Sequence, residues 1–428
     1  MKSIWNNATS LPHFPSVEKD FSTSVLIIGG GICGILCAHM LKERGVDYIL
    51  VEADEICKKT TANTTAKITS LHGLVYGKLT KEKAKLYYDA NEDAIKEYER
   101  LCTKIDCDFE RKDSFVFTLN NKRRIENEFF AIKEAGIDAE YTENLDIPFN
   151  ALCGIKFKNQ AQFNPIKFVA EVSVGLNIFE HSRVTEMVGT SAIVNGYKIT
   201  ADKVIVATHF PFINKHGSYF IKMFQHRSYA MAFKSNSKID GMYVDDTKFA
   251  LSLRSYGDTI ILGGEGHRTG KKSNAWAGLK AIADKYFPGN TVINKWATQD
   301  CMTLDGVPYI GSYSTATPDL YVATGFNKWG MTSSMVAAKL ICDLICNKRN
   351  KYKELFSPSR SILKPQLAIN TIEALHGWLS FTKKRCPHLG CALKWNKYEH
   401  TWDCSCHGSR FSESNKLLDG PANNDIKS

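Results

Sequence analysis

Ser24-Val25-Leu26-Ile27-Ile28-Gly29-Gly30-Gly31-Ile32-Cys33-Gly34 decides the reading of this 428-residue chain. The first five residues form a short apolar run, dense in branched side chains, of the kind found in a buried parallel strand. The glycines follow as G-x-G-x-x-G, and an apolar helix is expected to run to about Arg44, where Gly45 stops it. A second strand, Asp47-Tyr48-Ile49-Leu50-Val51, ends at Glu52. Strand, glycine loop, helix, strand and acid stand in the order that a dinucleotide site requires. Gly29 permits the tight turn and Gly31 lets backbone N–H groups approach a pyrophosphate. Gly34 permits close helix–strand packing, and Glu52 is placed to accept hydrogen bonds from an adenosine ribose.

The surroundings of this stretch narrow the class. Hydrophobic residues make up 43% of the chain and charged residues 23%, which is the composition of a globular protein with room for two or three domains. The longest apolar run, Val25 to Leu41, is interrupted by Gly29, Gly30, Gly31 and Gly34 and has no basic segment directly before it. It reads neither as a membrane span nor as a signal peptide. The net charge of +10 is spread along the chain. It reads as a solvated lysine-rich surface, with a basic docking face for an acidic redox partner or an anionic substrate as the alternative. No nucleic-acid motif is present. The 13 cysteines cannot all pair within one chain, and Cys386, Cys391, Cys404 and Cys406 crowd into one short segment. With no export signal, this pattern predicts a reducing cytoplasm and a metal site instead of a secreted disulfide scaffold.

The glycine loop alone does not separate NAD from FAD. Thr60-Thr61-Ala62-Asn63-Thr64-Thr65-Ala66-Lys67, just beyond the acidic strand, resembles the small-residue segment of flavoproteins of the glycine and D-amino-acid oxidase superfamily. The resemblance runs from about residue 22 to 347. It includes His181-Ser182-Arg183-Val184, Asp202-Lys203-Val204-Ile205-Val206-Ala207-Thr208, and Leu320 to Thr332 around Gly325, Gly330 and Met331. The resemblance implies FAD held by Gly29, Gly31, Gly34, Glu52, Thr64, Thr65, Lys67, Val184, Ala207, Thr208, Gly325, Gly330 and Met331. A helix start at Gly330 would stabilise negative charge on the reduced flavin. It also implies an α/β fold in which a Rossmann-like FAD-binding domain of glutathione-reductase type (22–75, 165–210 and 300–348) is interleaved with an α+β substrate domain (76–164 and 211–299). Within the latter, Lys81–Cys102 and Lys122–Glu134 read as amphipathic helices, and Ser114–Leu119, Tyr229–Phe233 and Thr259–Leu262 as strands. Phe168 to Gly175 reads as a helical stretch shorter than that of relatives. Gly263-Gly264-Glu265-Gly266 lacks a directly following amphipathic helix and is rejected as an NAD loop.

The substrate residues are weakly specified. Arg254 or Arg268 would clamp a carboxylate bidentately. His72, His267 and Lys67 are candidates for moving protons or polarising a flavin, against the ordinary reading of each as a hydrogen-bonded or surface residue.

The end of the chain carries a second signal. Cys386-Pro387-His388 and Cys404-Ser405-Cys406-His407 present one thiolate and one imidazole each, with fifteen residues between His388 and Cys404. Such loops suit a two-iron cluster with cysteines on one iron and histidines on the other, at a potential of about −150 to +300 mV. Zinc is the alternative, although C-x-H is an unusual start for it. The stretch resembles a Rieske 2Fe-2S centre. That resemblance implies Cys386, Cys404, His388 and His407 as ligands, Cys391 and Cys406 as a possible loop-to-loop disulfide, and Ser409 as a hydroxyl on a cluster sulfide. Gly420-Pro421-Ala422 is then the loop covering the cluster. The all-β module (381–428) is shortened, and residues 349–380 are expected to be a linker, ordered and then extended, that lets it dock.

Together these resemblances identify the chain as a member of a bacterial family of FAD-dependent oxidoreductases with a terminal Rieske module. The expected activity is oxidation of a small amine, amino acid or hydroxy acid, with electrons passing from flavin through the cluster to an external one-electron acceptor such as a ferredoxin-like protein. Three alternatives stay open: a reductase in which electrons enter through the cluster, an electron-transfer module with no organic substrate, and a flavin oxidase with a structural clip.

Overall fold

The structure, a computed structural model, describes the whole chain except Met1, Ala8, Asn214, Lys215, Lys248, Phe249, Phe381, Lys383, Ser428 and the side chain of Asn7. Phe21–Ile28 is a central strand of an eight-stranded sheet. It pairs in parallel with Tyr48–Val51 on one side and Tyr197–Val206 on the other, so that Val25 lies opposite both Tyr48 and Lys203. Thr317–Thr324 adds a further parallel strand, Tyr309–Ser314 returns antiparallel to it, and Ile178–Phe179 closes the far side. Leu26, Ile27, Leu50 and Val206 are buried, as strands covered on both faces require. The helices Ile32–Glu43 and Gly330–Ile345 pack against each other, which brings the first glycine loop beside the last flavin segment.

A nine-stranded sheet carries the other half of the molecule. Its order is Thr291–Thr303, Met223–Lys234, Thr259–Arg268, Ser252–Tyr256, Met242–Asp245, Glu110–Thr118, Cys153–Gln162 and Lys67–Ile68, with Glu140–Thr142 also paired to Cys153–Gln162. Lys67–Ile68 therefore passes from the nucleotide segment into this sheet. The helices Lys81–Cys102 and Lys122–Glu134 have the bounds read from the sequence. The side chains of Thr80 and Asn121 cap them by accepting from Lys83 N–H and Arg124 N–H. The short helix near 168 spans Pro165–Val172, three residues earlier than its apolar pattern suggests. Asn164 caps it and Pro165 occupies the first turn, where a missing N–H costs nothing.

The linker expectation is only partly met. Residues 349–380 contain the helix Pro365–Leu379, also started by a proline in its first turn. Gly377 on this helix is buried against Cys391 and Cys406 near the end of the chain, and Asn370 is buried against Arg268 and the Ile221 carbonyl. Beyond it, Leu393–Asn396, Thr401–Cys404, Arg410–Ser412 and Leu417–Asp419 form a four-stranded antiparallel sheet. Its apolar core is small, consisting of Leu393, Phe411, Ala422 and four cysteines. Among the described residues no helix is long and apolar enough to cross a membrane.

Candidate functional site

A cavity of about 590 Å³ runs between the two large sheets, within the range of small-molecule and cofactor sites. Its nucleotide end is built where Phe21–Ile28 gives way to Ile32–Glu43. Gly29 has φ +112°, and a Cβ there would stand 2.6 Å from the Ala207 carbonyl oxygen. Thr61 Oγ1 accepts from Ile32 N–H at 3.1 Å and fixes the helix start, leaving backbone donors at its mouth for an anion. Glu52 lines the cavity while accepting from Gly30 N–H at 2.7 Å and Asp54 N–H at 2.9 Å. Gly29, Gly31, Thr64, Thr65, Lys67, Val184, Ala207, Thr208, Gly330 and Met331 also line it. Gly34 and Gly325 lie behind the wall: a Cβ on the first would overlap the Gly29 carbonyl, and on the second the Thr303 side chain. This glycine-walled cradle at a helix start fits the pyrophosphate of FAD.

The opposite end is polar. Ser228 and Tyr229, Ser252, Thr298 and Asp300 come from neighbouring strands of the nine-stranded sheet, and Lys328 comes from the turn before Gly330–Ile345. Burial pushes the Asp300 carboxyl up to about 6, although Lys328 and Arg227 oppose the rise. Burial lowers Lys328, with Asp300 and Asp245 opposing. Burial and then the charge of Arg254 bring Lys67 down to about 7, and its ammonium donates to Ser252 Oγ. Sequence reasoning missed Asp300 and Lys328 as a pair of opposite charges. They are distant in the chain and sit in no motif that pairs them.

Arg254, His267 and His72 do not line the cavity. Arg254 is fully buried beneath the Thr64–Lys67 segment, donating to the Ala66 carbonyl at 2.9 Å and lying 5.3 Å from the Trp5 ring centroid. Trp5 in turn donates to the Thr64 carbonyl at 2.8 Å. His72 Nε2 lies 2.6 Å from the Thr69 carbonyl, which can only accept, so Nε2 carries the proton and Nδ1 accepts from Tyr87 O–H at 2.6 Å. Burial lowers its pKa to about 3, and the neutral ring stacks on the cavity residue Trp329 at 4.8 Å. His267 donates from Nδ1 to the Glu265 carbonyl at 3.0 Å and stacks on Tyr229 at 5.8 Å. All three stand one layer behind the wall. Arg268 faces the end of the chain instead, donating to the Ser405 and Cys406 carbonyls at 3.0 Å each and to Asn370 Oδ1 at 2.9 Å.

The C-terminal loops bring the expected ligands together. Cys386, Cys404 and His407 are buried, His388 is half-buried, and the two imidazoles lie 4.9 Å apart at 85°. Cys391 and Cys406 form a disulfide between the loops. Ser409 Oγ accepts from Ala422 N–H at 3.0 Å, tying the Gly420-Pro421-Ala422 loop to the second ligand loop. Buried His407 Nδ1 has no hydrogen-bond partner among the described residues. Two thiolates and two imidazoles on facing loops, one of them with an orphaned ring nitrogen, fit a 2Fe-2S cluster.

The module is fastened to the nine-stranded sheet through residues that no motif marks. Gln225 donates to the His407 carbonyl at 3.0 Å and the Gly420 carbonyl at 2.8 Å, and Gln299 to the Gly408 carbonyl at 2.9 Å. Gly408, at φ +89°, allows the close approach, because a Cβ there would run into Gln225. Glu399 accepts from Arg227 Nε at 2.9 Å, Arg410 at 2.9 Å and Tyr229 O–H at 3.1 Å. Arg410 also reaches Asp403 and Asp419. Gly420, Pro421 and Ala422 line the same cavity as the nucleotide loop.

The family described as FAD dependent oxidoreductase (DAO) matches residues 24–344, and the Rieske [2Fe-2S] domain matches residues 353–428. YhfW of Bacillus subtilis (strain 168), described as a Rieske 2Fe-2S iron-sulfur protein, is 33% identical over all of this chain and 97% of its own length. The cytochrome b6-f complex iron-sulfur subunit of Nostoc punctiforme is 49% identical over 37 residues, 9% of this chain and 21% of that subunit. L-proline dehydrogenase from P. horikoshii superposes with TM-score 0.67 at 16% identity, over 80% of this chain and 98% of that one. Glycine oxidase from Geobacillus kaustophilus does so with TM-score 0.67 at 14% identity, over 80% and 99%. The chain belongs to the DAO family of FAD-dependent oxidoreductases and carries a C-terminal Rieske 2Fe-2S domain.

Proposed function

We propose that the chain is a dehydrogenase of a small amino acid whose electrons leave through the Rieske module to an external one-electron acceptor. The observation that carries this reading is the single cavity lined by the nucleotide loop, by the opposite charges Asp300 and Lys328, and by the cluster-covering loop Gly420-Pro421-Ala422. Bound FAD supplies a two-electron acceptor for hydride from the carbon bearing the nitrogen, and the 2Fe-2S cluster supplies a one-electron carrier. Lys328 pairs with the substrate carboxylate, and Asp300, ionised at neutral pH, receives a hydrogen bond from the substrate nitrogen. An amine would leave Lys328 without a carboxylate, and a hydroxy acid would offer Asp300 a single neutral hydroxyl donor in place of an amino group. Tyr229, backed by His267 and bonded to Glu399, forms the wall between substrate and module. Cys386, His388, Cys404 and His407 hold the cluster, and His72 and Arg254 act as positioning residues behind Trp329 and Thr64–Lys67.

The test is an anaerobic screen of amino acids, amines and hydroxy acids for flavin bleaching, followed by turnover with a non-oxygen acceptor in wild type and His407→Ala. Bleaching by amino acids and loss of acceptor turnover in His407→Ala are expected. Full turnover in a cluster-free His407→Ala enzyme would overturn the electron route, and bleaching by amines alone would overturn the substrate class.

A further inference from the structure

The helix Pro365–Leu379 packs Gly377 against Cys391 and Cys406 of the Rieske module and Asn370 against Arg268 and the Ile221 carbonyl, and turns a row of large apolar residues outward. Ile372 is 65% exposed and Leu379 77%, and Leu363, just before the helix, is 82% exposed. Ile369, Leu375 and Trp378 extend the same ridge. The indole N–H of Trp378 donates to the Leu389 carbonyl at 2.8 Å, so the ridge continues into the Cys386–Cys391 ligand loop, where Leu389 is also exposed.

Charge along the ridge is one-sided. Glu373 is the one acid between Ser361 and Ala392, and Lys271 neutralises it at 2.7 Å on the inner side. Lys364 stands at one end of the helix; beyond the other, exposed Arg385 donates to the Trp378, Ser380 and Gly390 carbonyls at 3.0, 2.9 and 3.1 Å and leaves its positive charge there, while Lys384 turns back to the module and donates to Asn415 Oδ1 at 2.7 Å. We propose that this ridge is an interfacial docking helix for an anionic lipid surface, with its apolar row in the headgroup–acyl boundary and the charges of Lys364 and exposed Arg385 at its two ends facing lipid phosphates. A second copy of the chain is a poorer occupant. Pairing two such helices, parallel or antiparallel, sets cationic ends against cationic ends with no free acid between them. Half-exposed Trp378 suits a boundary that is apolar on one side and wet on the other. Docked in this way, the Cys386–Cys391 loop lies at the membrane surface although the chain does not cross it.

The holoprotein is floated with vesicles of phosphatidylcholine alone and of phosphatidylcholine with about one third phosphatidylglycerol. Wild type is expected to bind the anionic vesicles preferentially, with affinity falling about fivefold in Lys364→Gln. Ile372→Glu/Leu379→Glu, both surface positions, is expected to lower the affinity at least about tenfold while keeping the flavin absorption of wild type. Equal binding to both vesicles, equal binding by wild type and the double variant, or no flotation would overturn the proposal. So would a concentration-dependent dimer, seen by sedimentation velocity, that the double variant abolishes, because the second copy would then own the ridge.

Discussion

Glu399→Gln tests how the Rieske module is held. The Glu399 carboxylate is 9% exposed and sits between Arg227 of the nine-stranded sheet and Arg410 of its own module. Burial by itself would raise its pKa, but the two guanidinium groups outweigh burial and bring the carboxyl from 4.5 to about 2. That shift corresponds to about 3 kcal/mol of folded-state stabilisation. It agrees with the cost of roughly 3–5 kcal/mol for breaking a buried pair from one side. A depressed carboxylate stabilises fully above its unfolded pKa and ceases to do so as pH falls through the folded value. The difference between wild type and Glu399→Gln should therefore be about 3 kcal/mol at neutral pH and shrink from about pH 5 towards pH 2. Urea unfolding of the holoproteins, followed by circular dichroism across this range, measures it. Arg227→Met/Glu399→Gln should be less destabilised than the sum of its single variants, because the orphaned buried cation is gone. A difference below about 0.5 kcal/mol at neutral pH, or one that stays flat down to about pH 2, would refute the reasoning.

The remaining predictions concern the cavity and the helix over the disulfide. Lys328→Met should lower kcat/KM for an amino-acid substrate by about a hundredfold or more, because it removes a charge-assisted partner of the carboxylate; steady-state kinetics with a dye acceptor reads this. With Asp300 titrating at about 6, wild-type kcat/KM should fall below that pH as the carboxylate protonates. Asp300→Asn should be slow throughout and lack this acid limb in the pH profile. Gly377→Leu would drive a side chain into Cys406 Sγ. It should lower iron content and the Rieske EPR signal while leaving the flavin spectrum in place.

Local features were legible in the sequence, and long-range ones were not. Ser24–Gly34 contains its strand, turn and helix start within a few residues, so periodicity and glycine placement suffice. Lys81–Cys102 shows its apolar stripe in the same way, as does Lys122–Glu134. The four expected cluster ligands stand out because thiolates and imidazoles at fixed short spacing have few other uses. Arg254 misleads because its charge is visible in sequence but the Ala66 carbonyl and the Trp5 ring that claim it are not. Asp300 and Lys328 escape notice for the converse reason, since their joint position depends on where the strand Thr291–Thr303 and the turn before Gly330 meet. Pro365 reads as an extended-chain signal until the helix it starts has a surface to pack on.

The small core of the module explains why its docking looks permanent. Leu393, Phe411, Ala422 and a few cysteines bury too little apolar surface to hold residues 381–428 by themselves. Stability must come from the cluster and from the interface, where Gln225, Gln299 and Arg268 bind the backbone of the second ligand loop directly. Their donors are already committed to the His407, Gly408, Gly420, Ser405 and Cys406 carbonyls, and Arg227 and Arg410 are both bound to Glu399. Swinging the module outward would break all of these bonds and leave buried donors without acceptors. Under the proposed function, the module would therefore not carry electrons by moving. On the proposed electron route, an external acceptor would then meet the half-buried His388 edge, beside the apolar ridge, while His407 is buried.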